Sequence, residues 1–216
     1  MPLIQRDFST GGRVRASLRA RSEASRWVIC SLCLALSLSL ASCAGAPFDI
    51  KNKVELPPPS PSAARAESSG VLFQAEVLRD EDYLNDIFDA NLILASVLPV
   101  RVKVTNQTEA PIDLSKAKFE ISAANGRAYK SAEAKKVFKR LISYYEITTY
   151  SKPSYKQSQD AFISYALDLS KPLDGGASRE GLIFFIIPEA ADQVGSLKIK
   201  VSRLDQKAAA VELNLN

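Results

Sequence analysis

The side chains of this sequence that could do chemistry fall into four groups. Cys30-Ser31-Leu32-Cys33 has the C-x-x-C spacing used in redox and metal sites. Asp80, Glu81, Asp82, Asp86 and Asp89 gather carboxylates into one short stretch, the raw material of a calcium site or an acid/base pair. Lys135, Lys136, Lys139 and Arg140 form a stripe of cations that could meet anionic headgroups, peptidoglycan or an acidic partner. Tyr144, Tyr145, Tyr150, Tyr155 and Tyr165 crowd phenols around Lys152, Pro153 and Lys156, and tyrosine suits interfaces because it joins a large contact area to a polar tip. Histidine is absent. That removes Ser-His and Cys-His catalysis, imidazole bases and most zinc sites. Neither G-x-x-x-x-G-K-S/T nor G-x-G-x-x-G occurs, so no phosphate-cradling loop is encoded.

Each group also has a plainer role. The acidic stretch lacks the central Gly of an EF-hand loop, and Tyr83, Leu84, Ile87 and Phe88 fill its gaps. Acids are favoured in the first turn of a helix, and Asp80 is placed to cap one. The cationic stripe lies opposite Ala134, Val137, Phe138, Leu141, Ile142 and Tyr145, whose spacing predicts an amphipathic helix from about Ser131 to Tyr145. Tyr165 suits a half-buried strand position, leaving Tyr144, Tyr145, Tyr150 and Tyr155 as the candidate partner surface. Asn106-Gln107-Thr108 matches a glycosylation acceptor but, followed by Glu109-Ala110-Pro111, reads as a turn. No residue is assigned a catalytic, cofactor-binding or metal-binding role.

The elements around these groups begin with a leader. Arg6, Arg13, Arg15, Arg19, Arg21 and Arg26 precede a short apolar run from Trp27 to Ala41, which ends in Leu40-Ala41-Ser42-Cys43. Positive charge, an apolar core and small residues at the cut make a secretory signal. Fifteen residues that include Ser31, Ser37 and Ser39 fall short of the ~20 apolar residues a retained membrane span needs. The run resembles the lipobox of bacterial lipoproteins. That resemblance implies cleavage before Cys43, a diacylglyceryl group on its sulfur, further acylation such as palmitate on its amine, and a bilayer as the first partner. Two or more acyl chains give stable anchoring. Ala44 in place of Asp implies outer-membrane transfer, with the domain facing the periplasm.

Cleavage rewrites the composition. The whole chain carries 28 basic and 24 acidic side chains, and residues 1–42 take six of the former and two of the latter, leaving 22 of each. A neutral mature protein lacks the basic footprint of nucleic-acid binding. Cys30 and Cys33 leave with the signal, and Cys43 is then the one cysteine remaining, so a disulfide within the mature chain is excluded. Residues 43–70, with Pro57-Pro58-Pro59, Pro61 and several serines, read as a lipidated terminus and an extended tether, reaching up to ~80 Å.

Residues 71–216 read as one domain with a sizeable core. Period-two alternation marks strands at Val71–Val77, Val100–Val104, Phe119–Ala123, Ile163–Leu169, Leu197–Val201 and Val211–Leu215. Leu182–Ile187, continuously apolar, reads as a strand buried on both faces, and Asn125-Gly126 as a hairpin turn. A short helix after Asp80 and the Ser131–Tyr145 helix are insertions. Leu98-Pro99-Val100-Arg101-Val102-Lys103-Val104-Thr105-Asn106, Gly181-Leu182-Ile183-Phe184-Phe185-Ile186-Ile187-Pro188 and Leu197-Lys198-Ile199 resemble the immunoglobulin-like domains of small bacterial lipoproteins. The expectation is a mainly β protein, an immunoglobulin-like antiparallel β-sandwich with one or two short helical insertions. Its expected role is that of a non-enzymatic binding, scaffold or assembly module that holds another envelope protein or a cell-wall glycan. The alternative is a carboxylate-dependent hydrolase, or an inhibitor of a hydrolase, acting at the cell wall.

Overall fold

A computed structural model describes residues 45–56, 58–122, 126–188, 197–201 and 211–215, with the backbone alone in 197–201. The signal segment 1–42, Cys43 and Asn125 lie outside the described residues. The elements are β1 (Ala64–Ser68), β2 (Val71–Val77), α1 (Glu81–Phe88), β3 (Val97–Asn106), β4 (Glu120–Ser122), β5 (Ala128–Ala132), α2 (Ala134–Tyr144), α3 (Lys152–Ser164), β6 (Ser178–Ile186), β7 (Leu197–Val201) and β8 (Val211–Leu215).

The strands pair antiparallel in the order β1-β2-β3-β6-β5-β4-β7-β8. The mainly antiparallel β expectation therefore holds. The ladder is continuous through β5, whose Ala128–Lys130 pair with β4 while Ser131 and Ala132 pair with β6. The sheet curls until β8 lies beside β1 and β2. Two halves of one curled sheet, rather than two independent sheets, thus enclose the inner core.

That core collects the inward positions of the alternating strands: Val71, Phe73 and Ala75 of β2, Val100, Val102 and Val104 of β3, Ile183 and Phe185 of β6, and Val211, Leu213 and Leu215 of β8. A second core lies on the outer face. There Val97, Leu182 and Phe184 meet Leu84, Ile87 and Phe88 of α1, Val137, Phe138 and Leu141 of α2, and Phe162 of α3. Strand β6 serves both cores, which is why its apolar run shows no alternation.

Three expectations change. The tether expected over residues 43–70 is not free from Gly45 onward, where the folded unit begins; Cys43, Ala44 and Pro57 lie outside the described residues. Phe48 and Ile50 are buried, Ser158 Oγ donates to Phe48 O at 2.8 Å, and β1 zips onto β2 from Ala64↔Ala75 to Ser68↔Val71. Phe48 and Ile50 ahead of the prolines hold the segment down as a strap, and Pro58 and Pro59 line a cleft beneath it. The second change concerns Ile163–Leu169, which is not a strand. Ile163 belongs to α3, Tyr165 follows that helix, and only Ala166 bridges to Leu182. Helix α3 itself is the third. Ser151 caps it by accepting from Ser154 N at 3.1 Å, with a proline in its first turn, and only Ser158 and Phe162 are fully buried on it.

Candidate functional site

The phenols expected to make a partner surface lie along one chain of rings. Tyr144 and Tyr145 are edge-on at 5.1 Å, Tyr145 meets Phe48 at 5.9 Å, and Phe48 meets Phe138 at 5.8 Å. Phe138 meets Tyr155 at 5.3 Å, and Tyr155 meets Tyr150 at 5.0 Å. The C-terminal end of α2, the first turn of α3 and residue 48 of the strap position these rings.

The four tyrosines divide by role. Tyr145 is half structural: its hydroxyl accepts from Asn91 N at 2.8 Å and donates to Asn91 O at 3.2 Å. Tyr155 packs inward, and partial burial followed by the neighbouring Tyr150 raises its pKa, with the Gln159 hydrogen bond pulling the other way. Tyr144 and Tyr150 are exposed. The ends of the ring chain are thus available to a partner, while its middle is core. Tyr165 departs from the half-buried expectation. It is fully buried, stacks edge-on with Phe88 at 5.0 Å, and its hydroxyl accepts from Val54 N while facing Lys51 O and Asn52 O. It clamps the strap.

The acidic stretch works in helix ends and surface contacts. Asp80 Oδ1 accepts from Tyr83 N at 3.0 Å, the expected cap, and Glu81 accepts from the Asn91 side chain. Asp86 pairs with Lys51, and Asp89, in the left-handed region at the end of α1, accepts from Asp49 N. Among the described residues, no group of three or more Cys, Asp or Glu is arranged to hold a metal ion. Lys135, Lys136 and Lys139 are exposed on the face of α2 away from the core; Lys136 pairs with Glu133, and Arg140 instead donates to Ala95 O at 2.7 Å.

One polar feature escaped the sequence reading, and a second was legible only as a turn. A cleft of about 690 Å³ opens between the strap and the outer face of β3 and β6. Its floor carries Arg101, Lys103 and Glu180, and Lys53, Val54 and Glu55 form part of its wall. Arg101 is buried, and its Nε donates to Glu180 Oε1 at 2.6 Å, so the two charges largely satisfy each other. The alternation of Arg101 with valines signals an outward position; the strap that covers it comes from residues nearly fifty positions earlier. The second feature is Asn106, fully buried at the end of β3. Its amide donates to Ala110 O, Leu173 O and Asp174 O, and its Oδ1 accepts from Thr108 N and Thr108 Oγ1. The turn reading of Asn106 is what the structure contains.

No protein-family model matches this chain, and no curated protein matches it. A solved structure described as that of a functionally unknown protein from Listeria monocytogenes EGD-e is similar over 71% of this chain and 82% of its own, with 11% identity and a TM-score of 0.39. A likeness at that level carries no argument about function. Among the described residues, no helix is long and apolar enough to cross a membrane.

Proposed function

We propose that this protein is a non-enzymatic lipoprotein of the bacterial cell envelope, held to the membrane by an acylated Cys43 and acting as a binding, scaffold or assembly module. The observation that carries the reading is Leu40-Ala41-Ser42-Cys43 at the end of an Arg-led apolar run, with the folded unit starting two residues later at Gly45. Ala44 favours the outer membrane, facing the periplasm. The partner is another envelope protein or a cell-wall glycan, met at the exposed Tyr144 and Tyr150. The employment of Asp80, Glu81, Asp86 and Asp89 in caps and pairings supports the non-enzymatic side of the reading. Its immunoglobulin-like side draws support from the two halves of the curled sheet, β1-β2-β3-β6 and β4-β7-β8, facing each other across one core.

Metabolic labelling with palmitate tests the anchor: wild type takes up label and Cys43→Ala does not. Equal labelling of the two proteins overturns it. For the partner, a photo-cross-linker at Tyr144 or Tyr150 captures one dominant envelope component. A negative result at both positions moves the binding surface elsewhere.

A further inference from the structure

The start of the folded unit limits where the domain can stand. Phe48 is its first buried side chain, seated between α2 and α3. Five residue steps separate it from Cys43, and a fully extended chain covers at most about 18 Å in that distance. The long reach expected of residues 43–70 is gone, because most of that stretch is folded into the domain.

What surrounds Phe48 matters accordingly. Tyr145 rests on its ring, Tyr144 on Tyr145, and Tyr150 reaches the same ring chain from the far side through Tyr155 and Phe138. Asn91, clasped by the Tyr145 hydroxyl, accepts from Leu94 N through its side chain at 3.0 Å. Leu94 is the most exposed large apolar side chain among the described residues, at 59%. Leu94, Tyr144 and Tyr145 therefore lie to one side of Phe48, near which the chain comes in from Cys43, and Tyr150 lies to the other, through Phe138 and Tyr155.

We infer that the surface around Phe48 docks on the phospholipid bilayer that holds Cys43, with these four side chains at headgroup level. The inference rests on the lipoprotein reading above. Tyrosine is favoured where a membrane meets water, its ring toward the acyl boundary and its hydroxyl toward solvent. A leash of this length also keeps the patch at high effective concentration beside the bilayer, so weak individual contacts suffice. Exposed Asp49, Asp89 and Glu146 lie in the same neighbourhood, so the patch is not a cationic one. Exposed Lys135 and Lys136 stand about 12–14 Å of helix away from Tyr144, and exposed Lys139 and Lys152 stand nearer the rings, so together with the three acids they leave the patch with charges of both signs and no cationic excess. Docking is therefore aromatic rather than electrostatic, and anionic lipid is not required.

The test exploits Trp27, the one tryptophan of the sequence, which leaves with the signal segment. Tyr144→Trp in the full-length gene then gives a processed, lipidated protein with a single indole. Gln107→Trp, just beyond the opposite end of the ten-residue β3, gives the distant control. Both proteins are placed in vesicles of brominated phosphatidylcholine, with and without phosphatidylglycerol. The expected result is a blue shift and loss of most emission for Tyr144→Trp, no loss for Gln107→Trp, and no dependence on phosphatidylglycerol. Tyr150→Trp, on the other end of the ring chain, repeats the measurement without touching α2. Vesicle-bound protein in which neither ring-chain probe is quenched overturns the docking and leaves the anchor standing. Equal quenching at Gln107→Trp also overturns it. Protein that does not float with vesicles and has an unmodified Cys43 by mass overturns both docking and anchor.

Discussion

Replacing Asn106 tests whether its turn is held by the hydrogen bonds described above. In Asn106→Ala, three carbonyl oxygens lose the amide, but each keeps another donor: Ala110 O the Thr108 hydroxyl, Leu173 O the Ile112 N–H, and Asp174 O the Ala177 N–H. Thr108 N–H loses its acceptor outright. Two N–H bonds, shared among the three oxygens, lost at ~1 kcal/mol net each, and one bared donor at ~1 kcal/mol, give a destabilisation of about 3 kcal/mol. For a folded unit of this size, that lowers the melting temperature by about 10 °C. Asn106→Asp keeps the shape but turns a carboxylate toward three carbonyl oxygens in a buried site, adding ~3 kcal/mol at pH 7. Burial and those oxygens raise the pKa of the introduced carboxyl above its unfolded value of ~3.9. The folded state then binds the extra proton more tightly, so this additional penalty is absent below pH ~4 and grows as pH rises toward the folded pKa. Thermal melts by circular dichroism from pH 4 to pH 7 provide the assay. The reasoning fails if Asn106→Ala melts within ~3 °C of wild type, or if Asn106→Asp matches Asn106→Ala at pH 7.

Three further outcomes follow from groups with defined partners. Tyr165→Phe removes the hydroxyl that holds Lys51, Asn52 and Val54, so the Val54 amide exchanges faster with deuterium while amides of β3 keep their protection. Tyr83→Phe removes a buried hydroxyl that lacks a hydrogen-bond partner among the described residues, and stabilises the protein by ~1 kcal/mol in chemical denaturation; a loss of stability contradicts the assignment. Asp168 titrates below the usual carboxylate range because the Ser170 hydroxyl and N–H both donate to it. Its stabilising contribution is complete above the unfolded pKa of ~3.9 and is lost as pH falls through the lowered folded value. Ser170→Ala moves the Asp168 carboxyl resonance titration back toward that ordinary value.

Much of the sheet was legible because a strand half-buried against one core writes its burial as alternation. Val71–Val77, Val100–Val104 and Val211–Leu215 show that pattern and form β2, β3 and β8. Helix α1 announced itself through Asp80 and helix α2 through its apolar stripe. Strand β1 did not, because Ala64 and Ala66 present little apolar area and its neighbours are prolines and serines. Helix α3 was hidden for a related reason: with Phe162 its one large fully buried side chain, it has almost no stripe to read, and Ile163, Tyr165 and Leu167 imitate a strand. Ser151 followed by Pro153 was the available signal, a cap and a first-turn proline. The cleft was illegible because its wall, residues 53–56, 58 and 59, and its floor, Arg101 and Glu180, meet only through tertiary folding. Of the tyrosines, composition revealed the cluster, while the division into exposed ends and packed middle depended on Phe48, a residue outside the cluster.

The seat of Phe48 also sets an order of assembly. A chain made from its amino terminus produces the strap first, yet Phe138, Tyr145 and Ser158, which receive Phe48, lie about 90 to 110 residues further on, and Tyr165 further still. The earliest segment of the domain is therefore seated late, after α2 and α3 exist to hold it. Until then the side chains of Phe48 and Ile50 stay open to solvent, and the same residues that close the fold cover them once it is complete.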